Sequence, residues 1–280
     1  MSDMAEPQIL IRDLETVADM RDVEQIQKDV WGVPDLEVVP LSQLLAAKAS
    51  GGVLIGAFDN RTLAGFVYGF VGYERGTTVH HSHMLAVKPE YRAHDLGFRL
   101  KTAQRERVLE QGIEIMTWTF DPLQSLNAYF NFNKLGVVAD QYFVNFYGEA
   151  AASFLHRNGT DRLWVSWHLA SERVARKLDK AYSAGSISGL PAIIEVGEGD
   201  SPHSNELEVC LSGERAIIEI PADINLLERQ NSELAFEWRT ATRSAFTEAI
   251  AAGYVVDDFY RTGLTDRQIG AYVLLREKSP

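Results

Sequence analysis

Three histidines crowd one short stretch, "TTVHHSHMLAV" over residues 77–87. It reads as a strand, and because side chains alternate in direction along a strand, His81, His83, Leu85 and Val87 are predicted to share one face. Imidazole titrates near pH 6.5, so such a histidine can take a proton from an ammonium group near neutrality, directly or through a water. His83 is the first candidate for this general base and His81 the second. Both also read as strand residues with hydrogen-bonded rings. A third metal ligand is lacking nearby in the sequence, so no metal is assigned to the pair.

The strand runs into "KPEYRAHDLGFRL", residues 88–100. A turn that feeds a helix beginning near Leu96 aims backbone N–H groups and the positive end of the helix dipole at one point, a generic anion site. Gly97 removes a side chain where a ligand must approach the backbone. Lys88 and Arg92 add charge-assisted contacts. Asp95 works against this, because it brings a negative charge into an anion loop. Aspartate tolerates positive φ better than most residues, so the turn is predicted to survive while its grip on an anion weakens.

The elements that position these groups follow from periodicity. Residues 9–12 read as a strand, 15–30 as a helix and 41–50 as a second helix stopped by Gly51 and Gly52. Strands are predicted at 52–58, 62–73 and 77–87, a helix at 96–111, a strand at 113–120, a helix at 124–135 ending at Gly136, and strands at 140–148 and 162–169. Ser171 is a plausible N-cap for a polar helix at 171–182. The small-residue run "SAGSISG" (183–189) marks a boundary. Beyond it "AIIEV", "ELEVCL" and "RAIIEIP" read as strands, followed by a long helix from Ser232 and two more strands. This order loosely mirrors the second half of the first segment, so a degenerate half-repeat and an unrelated α+β accessory domain both fit.

Composition narrows the function classes. The 280 residues are 46% hydrophobic and 24% charged, as in a globular protein. The apolar runs are strand-length and interrupted by glycine, and the start lacks the blocks of a signal peptide, so a cytoplasmic protein without membrane association is expected. The single cysteine, Cys210, excludes a disulfide framework within the chain. A net charge of −12 disfavours nucleic acid. One basic cluster stands against that charge: Lys88, Arg92, Arg99, Lys101, Arg105 and Arg107. It reads equally well as a solvated helix face.

The run Val87-Lys88-Pro89-Glu90-Tyr91-Arg92, with Arg92, Leu96 and Gly97 at matching spacing, resembles the GNAT N-acyltransferase superfamily. The superfamily signature there is Arg/Gln-x-x-Gly-x-Gly/Ala after a strand ending Val-x-Pro; Asp95 and Ala93 stand where glycines are common. Downstream, "LNAYFNFNKLG" (126–136) is similar to the family's Asn-x-x-Ala…Tyr-x-Lys-x-Gly helix, with Ala128, Lys134, Leu135 and Gly136 fitting. Ser125 holds the asparagine place and Phe132 the tyrosine place. The resemblance covers residues 9–169. Residues 238–261, with "HSHMLAV" and "TFDPL", look like a longer bacterial branch of acyltransferases, some tied to N-succinylation of amino acids.

The resemblance implies an acyl-CoA co-substrate and an amine acceptor. The loop N–H groups of Arg92, Ala93, His94, Asp95, Leu96 and Gly97 would grip the CoA diphosphate, with Leu85 and Val87 beside the rest of the ligand. The Leu85 N–H would meet the oxyanion, and Asn127 and Asn131 would face the pantetheine arm or simply cap and solvate their helix. Phe132 cannot protonate the leaving thiolate, a role Tyr129 could take, although core packing suits Tyr129 as well. Trp31, Glu74 and Trp118 are candidate acceptor contacts. The expectation is therefore an α/β protein with an α+β mixed sheet and a GNAT-like fold over 1–170, a helix and linker over 171–189, and an acidic α+β domain over 190–280. Its function is acetyl or succinyl-type transfer from CoA to a small-molecule amine such as an amino acid. The alternative is a non-catalytic acyl-CoA-binding or regulatory module. Neither nucleic acid nor membrane is an expected partner, and a homodimer is compatible with either reading.

Overall fold

A capping box opens the first helix. Thr16 Oγ1 accepts from the Asp19 N–H at 3.1 Å, and the Asp19 carboxylate accepts from the Thr16 N–H at 2.9 Å. Arg12 closes on the same carboxylate at 2.7 Å, which ties strand β1 (Ile9–Asp13) to helix α1 (Val17–Trp31). The structure is a computed structural model; it describes residues 8–148, 158–179, 186–264 and 267–276, without the side chains of 262–264, 267 and 268. Its contacts divide the chain into two units, one reaching to Trp118 and one beginning at Thr119.

In the first unit, α1 is followed by α2 (Leu41–Ala49), β2 (Val53–Asp59), β3 (Thr62–Glu74), β4 (Thr77–Val87), α3 (Leu96–Glu110) and β5, which begins at Ile115 and runs as Ile115–Phe120. The sheet order is β1-β2-β3-β4-β5, antiparallel as far as β4, with β5 parallel to β4. Met20, Val23 and Ile26 of α1 and Leu44 of α2 pack on Phe58, Phe66, Tyr68 and Ala86, which line one face of the sheet. The other face carries α3, whose Leu96, Leu100 and Val108 are fully buried. Burying apolar side chains on both faces explains why β2 is buried along nearly its whole length.

The second unit begins with the end of β5 and a helical run that is α-helical over Ser125–Ala128 (α4) and π-helical over Tyr129–Leu135, stopped by Gly136 at φ 78°. Next come β6 (Val138–Phe143), β7 (Arg162–His168) and α5 (Glu172–Leu178), which Ser171 caps as predicted. The remainder is β8 (Ala192–Val196), β9 (Pro202–Ser204), α6 (Leu207–Cys210), β10 (Arg215–Pro221), α7 (Ile224–Gln230), α8 (Ser232–Ala251), β11 (Tyr254–Leu264) and β12 (Arg267–Arg276). The strands lie in the order β7-β6-β11-β12-β10-β8-β9. Pairing of β11 with β6 places residues on both sides of the 183–189 run in one sheet. The contact boundary therefore falls ahead of α4, whereas composition marks 183–189; residues 180–185 lie outside the described residues.

One element differs in kind. "ELEVCL" was expected as a strand, yet residues 207–210 form α6, with the Cys210 N–H bonded to the Glu206 carbonyl. Cys210 and Leu211 are buried while Val209 is exposed, and in so short a run this does not separate a helical turn from a strand by pattern. No helix among the described residues is long and apolar enough to cross a membrane.

Candidate active site

The histidine strand carries a β-bulge. Tyr68 pairs with Met84 and the next residue, Gly69, pairs with Ser82, which leaves His83 as the extra residue of β4. An inserted residue reverses the alternation beyond it. His81 and His83 share a face, their ring centroids 6.3 Å apart and both within 6 Å of the Phe70 ring. Beyond the bulge Met84 and Ala86 take that face and join the α1/α2 core. Leu85 and Val87 pass to the opposite face, where Val87 lies near Leu100 of α3: a Cβ on Gly65, the partner of Val87 in β3, would meet both. The predicted common face for His81, His83, Leu85 and Val87 therefore holds only for the two histidines.

The bulge lies where β4 and β5 separate. Their parallel pairing is confined to His80 with Met116 and His81 with Thr117, although β4 continues to Val87. The Lys88 N–H bonds the Ala64 carbonyl of β3 at 2.9 Å. Strand geometry alternates the direction of successive N–H groups, so those of Leu85 and Val87 point the other way, to the edge that β5 has left. Among the described residues, these two backbone donors thus face an unpaired stretch of strand edge beside the two imidazoles.

The loop after β4 is a 3₁₀ turn (Pro89–His94) ending at Asp95, which has φ 53° and ψ 25°. The left-handed backbone expected of Asp95 is present. Its side chain does not cap α3, so the first N–H groups of the helix are not occupied by that carboxylate. The loop is held at both ends. Tyr91 Oη donates to Asp59 Oδ2 at 3.0 Å, and Arg92 Nε donates to the Val87 carbonyl at 3.3 Å. Arg92, Ala93 and Asp95 are exposed, His94 and Gly97 are half-buried, and Leu96 is buried as the anchor of α3.

The basic cluster disperses around α3. Lys101 is buried, Arg99 donates to the Ile9 carbonyl, and Arg107 pairs with Asp13 and Glu110. Lys88 and Arg92 are the members in the loop itself. Helical periodicity, which sends these positions to different sides of α3, is the reason.

His81 is held from behind. Its Nδ1 stands 3.1 Å from Thr117 Oγ1, and Thr117 Oγ1 donates to Glu74 Oε1 at 2.8 Å; Glu74 Oε1 is 3.9 Å from His81 Nδ1. Burial, then the neighbouring His83 and Lys101, push the His81 imidazole down to about 4. His83 is exposed on the same face, and desolvation by the Tyr68, Phe70 and His81 rings beside it lowers its imidazole as well. Both rings are therefore neutral proton acceptors at pH 7. His80 faces the other way, its Nε2 3.3 Å from Gln104 Nε2, and burial followed by Lys101 and His81 lowers it to about 3.

Other sequence candidates fall elsewhere. Trp118 is buried with Lys101 Nζ 3.6 Å from its ring centroid, and Trp31 packs edge-on against Phe66. In the second unit Asn127 is exposed and Asn131 buried, Tyr129 is half-buried, and Phe132 is fully buried between Phe120 and Tyr272. Thr117 was not singled out by the sequence. Its one signal is a hydroxyl in a mostly apolar strand, "IMTWTF", which it shares with Thr119. Among the described residues, no group of three or more histidine, cysteine or acidic side chains could hold a metal ion.

Residues 17–136 match the model of the Acetyltransferase (GNAT) family. No curated protein matches the chain. Among solved structures, a protein named as a GNAT-family acetyltransferase from Desulfovibrio desulfuricans is 15% identical, covering 58% of this chain and 99% of that one, with a TM-score of 0.48. The ribosomal-protein-S18-alanine N-acetyltransferase from Escherichia coli is 15% identical over 59% and 96% of the two chains, with a TM-score of 0.47. A GNAT family acetyltransferase from Elizabethkingia anophelis with acetyl-CoA bound is 13% identical over 59% and 99%, with a TM-score of 0.43.

Proposed function

Residues 17–136 match the GNAT acetyltransferase family, and from that premise we propose that the chain is an N-acyltransferase of that superfamily, moving an acyl group from CoA to the amine of a small molecule. The observation that carries this reading is the open edge of β4. It presents the Leu85 and Val87 N–H groups beside the neutral imidazoles of His81 and His83.

In this reaction the amine nitrogen attacks the thioester carbonyl carbon. The C–N bond forms, the C–S bond breaks, and CoA leaves as its thiolate. The Leu85 N–H stabilises the oxyanion that develops on the carbonyl. A neutral imidazole on the His81/His83 face takes the proton released from the amine. The N–H groups of residues 92–97 and the Arg92 guanidinium meet the diphosphate, with the helix dipole of α3 adding to them. The acyl group is acetyl or succinyl, and the acceptor is an amino acid or similar small amine.

A thiol-release assay of acetyl-CoA and succinyl-CoA against a panel of amines tests this, alongside calorimetric titration with CoA. Turnover with at least one pair is expected. CoA binding without turnover on any amine would instead favour a non-catalytic acyl-CoA-binding module. Phe132 supports that second reading, because a fully buried phenyl ring stands where the family resemblance implies a proton-donating phenol.

A further inference from the structure

We propose that Glu74 and Thr117 are positioning residues that fix the tautomer of His81 and so make His81, rather than His83, the proton acceptor of the reaction. The inference rests on the acyl-transfer reading above for its chemistry and on geometry for its orientation.

The hydroxyl of Thr117 has one hydrogen. At 2.8 Å from Glu74 Oε1 that hydrogen goes to the carboxylate, which can only accept. The hydroxyl oxygen is then the acceptor for His81 Nδ1 at 3.1 Å. A Thr117 hydrogen directed at the imidazole instead would leave two oxygens facing each other at 2.8 Å without a proton between them. The ring is therefore protonated on Nδ1, and its lone pair falls on Nε2. His83 has ring contacts with Tyr68, Phe70 and His81.

The carboxylate matters most after the proton has moved. When the amine attacks, its nitrogen becomes positively charged and more acidic than the free ammonium, so a weakly basic imidazole suffices to deprotonate it. His81 Nε2 takes that proton and the ring becomes an imidazolium. Its charge lies 3.9 Å from Glu74, with Thr117 between. Burial opposes that charge most, and His83 on the same strand and Lys101 from α3 on the far face of the sheet oppose it when they carry a proton. Glu74 is the group whose sign favours it. The proton passes on to solvent or to the departing thiolate, which balances the transfer.

Nitrogen-15 spectra of the imidazoles, recorded beside turnover, test the proposal in the full chain. The wild-type His81 should show the proton on Nδ1. Thr117→Val keeps the shape of the side chain and removes the hydroxyl; it should abolish that preference and lower kcat about 10–100-fold, leaving the KM for acyl-CoA little changed. Thr117→Ser should restore both, and Glu74→Gln should displace the acidic limb of the pH–rate profile. His83→Gln should leave the His81 tautomer in place and cost less in kcat than Thr117→Val. A His81 proton on Nε2 in the wild type, or unchanged kcat in Thr117→Val, overturns the relay. Absence of turnover in the wild type overturns the acyl-transfer reading instead, while the His81 spectrum still decides whether Thr117 and Glu74 orient the ring.

Discussion

Lys101 holds its Nζ 3.6 Å from the centroid of the Trp118 ring and donates to the Ser82 hydroxyl at 2.9 Å. Gln104 and the Met116 sulfur also lie within reach of this buried lysine. Burial holds its amine well below the usual lysine range. The unfolded chain keeps the proton up to about pH 10.4 while the folded one releases it earlier, so folding stability rises with pH across that window. The gain is up to about 1.4 kcal/mol per pH unit. Urea denaturation at pH 7 and pH 9.5 should show it, and Lys101→Met should be more stable than the wild type at pH 7 and lose the slope.

His80 and His81 give the acid counterpart. Both rings are neutral in the fold down to about pH 3 and about pH 4, respectively. The unfolded chain protonates them near pH 6.5, so stability falls as the pH drops below that value and is lost progressively down to the folded values. For His81 the loss amounts to about 3 kcal/mol. Melting temperatures of His81→Gln and the wild type, compared between pH 7 and pH 4, should converge toward acid.

Gly69 is needed where it stands. A Cβ there would come within 2.3 Å of His80 Nε2 and 2.7 Å of the His81 carbonyl oxygen. Gly69→Ala should cost about 2–3 kcal/mol by denaturant titration. Pairing it with His80→Ala relieves the ring clash but not the backbone one, so recovery should be partial.

Asp95 separates backbone from charge. Asp95→Gly keeps the left-handed turn and removes the carboxylate, so CoA should bind about 3–10-fold tighter by calorimetry. Asp95→Ala also removes the charge but pays for φ 53° with about 1 kcal/mol of folding stability. Equal CoA affinity in Asp95→Gly and the wild type would refute the handicap assigned to this charge.

The second unit has its own test. Arg239, 1% exposed, donates to Asp121 Oδ2 at 2.8 Å and to the Asn158 carbonyl, while its Nη1 has no hydrogen-bond partner among the described residues. Asp121→Asn strips the buried guanidinium of its counter-charge and should destabilise by about 3 kcal/mol. Adding Arg239→Met should recover part of the loss, because the uncompensated charge leaves with it.

Much of the site was legible because it depends on local pattern. The turn after Val87, the helix from Leu96 and the tolerance of Asp95 for positive φ all follow from residue types within a few positions. The strands over 52–87 follow from alternation in the same way. The side of β4 on which Leu85 and Val87 lie was not legible. Nothing in "HSHMLAV" marks His83 as the inserted residue, since a bulge is a statement about two strands and the sequence shows one. The dispersal of the basic cluster was likewise hidden until α3 had a sheet to face.

What the sequence by itself determined is the loop, the superfamily resemblance and the identity of the candidate bases. Their arrangement was decided by strand pairing between residues distant in the chain. Gly69 opposite Ser82 sets the bulge, and the parting of β4 from β5 exposes the Leu85 N–H. The meeting of Glu74, Thr117 and His81 spans three strands. Hydrogen bonding across strands fixes such contacts, and residue spacing along one strand carries no record of which neighbour lies alongside.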